Sequence, residues 1–137
     1  MIETNATGRS ILRSIMAVLA GFLATAILSI ATDLAMHATG VFPAEGQPMS
    51  NALFALATVY RTIYTIAGGY ITARLAPNRP MTHAWILAII GILAAIAGTM
   101  ATWDKGPEFG PKWYPIALVI LAIPSVLLGA KLAVRRR

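Results

Sequence analysis

Apolar residues run through this chain in four long blocks, without the strict alternation of a half-buried strand. The block Ile15–Thr32 carries no charge, Ala52–Ala73 is broken only by Arg61, Ala84–Thr102 is uncharged, and Trp113–Ala130 is uncharged but contains Pro115 and Pro124. A helix needs about 20 mostly apolar residues to cross a bilayer, and each block is near that length. A membrane β-barrel would show short alternating segments instead. The pattern predicts an all-α fold: an integral membrane four-helix bundle, one domain over residues 1–137, with helices at about 14–38, 51–76, 82–103 and 113–134. Pro115 falls where the last helix starts, and a missing N–H costs little there. Pro124 falls near its middle and predicts a kink.

Composition strengthens this reading. Of the 137 residues, 58% are hydrophobic and 12% charged, about half the charge of an ordinary soluble domain. The net charge of +6 gathers at segment ends and not along one face, which argues against a nucleic-acid partner. There is no Cys, so disulfides, thiolate metal ligands and Cys nucleophiles are excluded.

The same charges give an orientation. Arg9 and Arg13 precede the first helix, Arg74 and Arg79 lie between the second and third, and Lys131, Arg135, Arg136 and Arg137 end the chain. The opposite ends carry only Lys105 and Lys112. The positive-inside bias therefore predicts both termini in the cytoplasm. The first block could alternatively be a signal peptide, but it exceeds the roughly 7–15 residues of such a core. A glycosylation sequon at Asn5 falls on the side predicted to be cytoplasmic. The basic tail needs only anionic headgroups as partners.

Small and polar residues recur along the helices. Thr58, Thr62, Thr65, Gly69 and Thr72 are spaced 4, 3, 4 and 3 apart, which puts them on one face. Gly21 on the first helix, and Gly91 and Gly98 on the third, extend the pattern. Helices in lipid associate through such close-packing faces, so these residues read as helix–helix contacts. A hydroxyl-lined pathway is the alternative.

Arg61 requires a partner. It lies ten residues after Asn51, roughly 15 Å along a helix, and a guanidinium at that depth costs at least about 2.5–3.5 kcal/mol unless it is paired or hydrated. Asp33 is the acidic residue within a span, near the outer end of the first helix. The two helices are joined by a short loop, which predicts an Asp33–Arg61 ion pair. It reads either as a clip between helices or as a transport site. His37 follows Asp33 by four residues and completes a candidate outer polar pocket of Asp33, His37 and Arg61. His83 lies at the cytoplasmic end, so the two histidines cannot share a metal, and no metal or cofactor is expected. Ser14, Ser29 and Ser125 have no His at matching depth, and no G-x-S-x-G, Walker or dinucleotide motif is present.

The segment TWDKGPEFGPKWYP, Thr102 to Pro115, joins the last two helices. Trp103, Trp113 and Tyr114 suit the headgroup interface, Lys105 and Lys112 suit phosphates, and the Gly-Pro pairs turn the chain. Asp104, Glu108 and Phe109 remain. With Phe42, Pro43 and Glu45 of the other outer loop they could cap the polar pocket.

The segments YRTIYTIAGGYITARLAPNRPMTHA, Tyr60 to Ala84, and TWDKGPEFGPKWYPIALVILAIPSVLLGAKL, Thr102 to Leu132, resemble an uncharacterised group of small bacterial four-helix membrane proteins. The resemblance implies a bacterial inner-membrane location and no particular activity. Small multidrug resistance transporters are similar in size only, because the acidic residue they carry in the first helix has no counterpart in Ile15–Thr32. The expectation is a structural or accessory membrane component whose partners are lipids and either further copies of itself or another membrane protein. A small-solute transporter or channel subunit acting at Asp33 and Arg61 comes second, and a membrane-embedded enzyme third.

Overall fold

The computed structural model describes residues 2–44, 47–105 and 110–136. Four helices make up nearly all of it: α1 (Ile2–Ala38), α2 (Asn51–Leu75), α3 (Pro80–Thr102) and α4 (Trp113–Arg135). The α1–α2 and α3–α4 connections lie at one end of the bundle, called here the two-loop end. The short α2–α3 connection and the last turn of α4 lie at the other, the termini end. Glu45, Glu108 and Phe109, invoked for an outer cap, are outside the described residues.

The helices differ most from the expected limits at the start of the chain. α1 begins at Ile2, about three turns before the expected residue 14. No Pro interrupts that stretch, so nothing stops the helix from propagating past the apolar block. α2 starts where Ser50 accepts a hydrogen bond from the Leu53 amide at 3.3 Å, an ordinary N-cap arrangement. α3 starts with Pro80 at its first turn, behind Arg79 in the left-handed region at φ 42°. α4 continues as one helix through Pro124.

Three helical segments are long and apolar enough to cross a membrane: Gly8–Ala38, Pro80–Thr102 and Trp113–Arg135. α2 is the exception. Its 25 residues span about 37 Å, but they include four Thr, three Tyr, Arg61 and Arg74. This helix is central, packing on α1 along one side and on α4 along another, so its Thr, Tyr and Arg61 side chains meet protein, while Arg74 at its end is exposed.

Glycines set those two crossings. A Cβ on Gly21 of α1 would lie 2.6 Å from the Gly68 carbonyl oxygen of α2, and one on Gly68 would lie 2.8 Å from the Gly21 oxygen. On the other side, a Cβ on Gly69 would collide with the Val126 backbone, and one on Gly129 would lie 2.8 Å from the Tyr70 amide nitrogen. Backbones approach this closely only where side chains are absent. The expected single seam on α2 is therefore split. Gly68 and Thr72 face α1, where Thr72 Oγ1 donates to the Ala17 carbonyl at 2.9 Å, while Gly69 faces α4. Gly91 and Gly98 of α3 are not packing positions at all: a Cβ on either meets nothing within 4 Å.

Two apolar clusters result. At the termini end, Val18, Ala73, Ala84, Leu87, Ala88, Val126, Ala130 and Ala133 are buried together. At the two-loop end, Phe42, Ala57 and Tyr60 are buried among Met36, Leu53, Tyr64 and Tyr114. Phe42 shows that the α1–α2 connection folds back over this end, and Gly110, at φ +96°, brings the α3–α4 connection against the Phe54 ring.

Candidate functional site

Asp33 sits in the penultimate turn of α1, and Tyr60 and Arg61 are adjacent on α2. Arg61 Nη2 donates to Asp33 Oδ2, forming an ion pair. The Tyr60 hydroxyl donates to Asp33 Oδ1. Both carboxylate oxygens are thus engaged by one neighbouring helix. Each side chain of the ion pair keeps about 30% of its surface open, but the Arg61 Nε atom is buried without a hydrogen-bond partner.

Tyr60 was absent from the sequence-derived pocket. A phenol in an apolar helix gives no signal beyond an aromatic core position, and only its adjacency to Arg61 could have drawn attention to it. One turn further in, the Tyr64 hydroxyl lies 2.7 Å from Thr32 Oγ1, and Thr25 Oγ1 donates to the Tyr64 carbonyl at 3.2 Å. These contacts make the α1–α2 interface polar over about two turns beside the ion pair.

His37 is elsewhere. Its Nδ1–H donates to the Pro43 carbonyl at 2.9 Å, and its ring meets Phe42 edge-on at 5.4 Å between centroids. The imidazole therefore pins the α1–α2 connection and is not a partner of Asp33 or Arg61. Among the described residues no three His, Asp or Glu side chains gather in a way that would hold a metal ion.

The residues of the α3–α4 connection serve local contacts. Lys112 Nζ lies 4.5 Å from the centre of the Trp103 ring, within cation–π range. Trp113 Nε1 donates to Asn51 Oδ1 at 3.3 Å, and Tyr114 packs on Phe54 at 5.0 Å between centroids. Asp104 and Lys105 are exposed.

Behind Arg61 the bundle is hollow. A cavity of about 340 Å³ lies between the helices, with Arg61, Thr62 and Thr65 of α2 on one wall and Gly91 and Ala95 of α3 opposite. Thr58 stays outside it, its hydroxyl donating to the Phe54 carbonyl at 2.9 Å. The cavity explains why Gly91 has no neighbour: here α3 stands away from α1 and α2.

A second polar contact lies at the termini end. The His83 Nδ1–H donates to the Arg79 carbonyl at 2.9 Å, which leaves Nε2 of a neutral ring to accept from the Ser14 hydroxyl at 2.8 Å. The expectation that Ser14 has no histidine at its depth is wrong. Ser14 and His83 both lie toward the termini end of their helices, which brings Ser14 level with the first turn of α3. The imidazole is only 6% exposed and joins the two helices. A hydroxyl held on an oriented imidazole also has the beginnings of a nucleophile.

The chain matches no protein-family model, no curated protein and no solved structure.

Proposed function

We propose that the chain is a structural or accessory protein of the bacterial inner membrane, without enzymatic activity. On this reading it crosses the bilayer four times with both termini in the cytoplasm, and its partners are lipids and further copies of itself or another membrane protein. Asp33, Tyr60 and Arg61 are the clip that fixes α1 on α2. The observation that carries this reading is the occupation of both Asp33 oxygens, one by Tyr60 and one by Arg61. Both oxygens are taken up by contacts that join α1 to α2.

Placement of α2 across the bilayer is consistent with its length and with its position between α1 and α4, which brings its Thr, Tyr and Arg61 side chains against protein and leaves Arg74 exposed at its end. The four cationic residues at the end of α4 and the two before α1 favour the cytoplasmic assignment of those ends.

Arg61→Leu tests the role of the clip. Asp33 then loses its charge partner, and the amount of folded protein in mild detergent should fall sharply. Folded protein with altered solute flux in proteoliposomes would favour the second reading, transport of a small solute, which the cavity beside Arg61 recommends. Folded protein with unchanged behaviour would exclude both roles for Arg61.

A further inference from the structure

The cavity behind Arg61 carries two unusual side chains. Ser29 of α1 and Ser125 of α4 line it, and each is only 4% exposed. Hydroxyls in helices usually satisfy themselves by donating to the carbonyl four residues earlier. Thr25, Thr62 and Thr65, on the same cavity, do so at 2.7–3.0 Å. Ser29 and Ser125 have no hydrogen-bond partner among the described residues. Among the described residues the fully enclosed side-chain polar atom without a partner is Arg61 Nε; the two Ser hydroxyls instead open onto the cavity, unpaired and available to a group inside it.

The cavity also defines the partner's character. Most of its wall is apolar, from Phe22, Leu87 and Leu118 among others. Among the described residues its only charged side chain is Arg61, already paired with Asp33. A charged ligand would therefore meet no counter-charge. The volume, about 340 Å³, is at the lower end of small-molecule sites. The rim is open between α1 and α3, where Ile30 is 57% exposed and Ala94 is also exposed. In a bilayer this opening faces acyl chains, not water.

We propose that this cavity is a binding site for a small, neutral, lipid-soluble compound bearing a hydrogen-bonding oxygen, an alcohol, phenol or ketone, taken up laterally from the membrane between α1 and α3. The ligand oxygen bonds the Ser29 and Ser125 hydroxyls, and its apolar body fills the space against Gly91 and Ala95. The inference rests on the membrane placement proposed above, but not on the role given to Asp33 and Arg61.

The test uses the full chain in phospholipid nanodiscs with 4-(hydroxymethyl)benzophenone, a neutral photoreactive probe with a hydroxyl and a ketone. Illumination followed by peptide mass spectrometry locates the attachment. The site predicts saturable labelling centred on residues 26–30 of α1 and 91–95 of α3. Gly91→Leu, whose new side chain enters open space, should reduce it at least tenfold. Ser29→Ala with Ser125→Ala should raise the half-saturating concentration about tenfold while leaving the fold intact. Ala97→Leu, on an exposed position of α3, should change neither. Labelling that does not saturate, that spreads over exposed positions such as Leu19, Met100 and Ile120, or that ignores both cavity variants overturns the site and leaves acyl chains as its filling. A chain that fails to co-elute with the discs overturns the membrane placement as well.

Discussion

Ser14 and His83 tie α1 to the start of α3 at the termini end of the bundle, with the Ser14 hydroxyl 2.8 Å from His83 Nε2. Higher up, the two helices part around the cavity. The contact adds to the packing of Val18 with Ala84, Leu87 and Ala88 in holding α3 on α1 at this end, and the Arg79 carbonyl orients the ring to receive it.

Removing either partner should destabilise the protein, and removing both should cost less than the sum. Ser14→Ala leaves Nε2 of a buried ring without its donor, an effect of about 1–2 kcal/mol. The coupling between Ser14→Ala and His83→Ala should be about 0.5–1.5 kcal/mol, the range of hydrogen bonds between helices in membranes. Reversible unfolding in mixed micelles measures the cycle. A coupling near zero would mean that the contact does not hold α1 against α3.

The ion pair should behave differently from a simple sum of contacts. Arg61→Leu alone or Asp33→Leu alone leaves one uncompensated charge and should destabilise by about 3–5 kcal/mol. The double replacement removes both charges together and should recover most of that loss. The same unfolding assay reads this. Equal and additive losses would show that the two side chains are held independently, against the clip reading.

Tyr60 and Tyr64 offer a graded comparison. Tyr60→Phe removes a hydrogen bond to a carboxylate, for which about 1.5–3 kcal/mol is the usual range. Tyr64→Phe removes a neutral bond to Thr32, with about 0.5–1.5 kcal/mol expected. The order of the two losses is the prediction, and its reversal would place Asp33 outside the energetic centre of the α1–α2 interface.

How far these relationships could be read beforehand depends on what each residue requires. A charge in an apolar block must find a partner, and few are available, so Asp33 and Arg61 could be matched on depth and loop length alone. The helices were legible for the same reason, since the apolar blocks leave few alternatives. Small residues are weaker guides, because they permit contact without demanding it. Gly91 and Gly98 continue the spacing of a packing face yet border empty space. Gly68 and Gly129, outside that spacing, sit where backbones touch. Tyr60 carries no requirement visible without the fold, and neither does Ser14: it and His83 both fall at the predicted cytoplasmic end, but a serine hydroxyl can satisfy itself on its own helix and so names no partner.

That distinction between glycines can be measured. Gly68→Ala pushes a methyl group into the Gly21 carbonyl and the Thr25 hydroxyl, and separating the helices to admit it should cost about 1–3 kcal/mol or more. Gly91→Ala meets nothing within 4 Å and should gain up to about 1 kcal/mol from helix propensity. Thermal denaturation of the two variants in one detergent compares them directly. A destabilised Gly91→Ala protein would put a neighbour where the structure has a cavity, and it would weaken the case for a ligand there.

Orientation is accessible because the chain has no Cys, so a single introduced thiol reports one position without background. Arg136→Cys, beside the last turn of α4, should react with a membrane-impermeant maleimide only after the cells are opened. Thr39→Cys, at the exposed end of α1, should react in spheroplasts without permeabilisation. The two positions sit at opposite ends of the bundle, so their reactivities must differ if the helices cross the bilayer. Reversal of the pattern would turn the protein over and overrule the charge bias. Equal reactivity of both from outside would mean that the bundle does not span the membrane, and the cavity would then open to water instead of acyl chains.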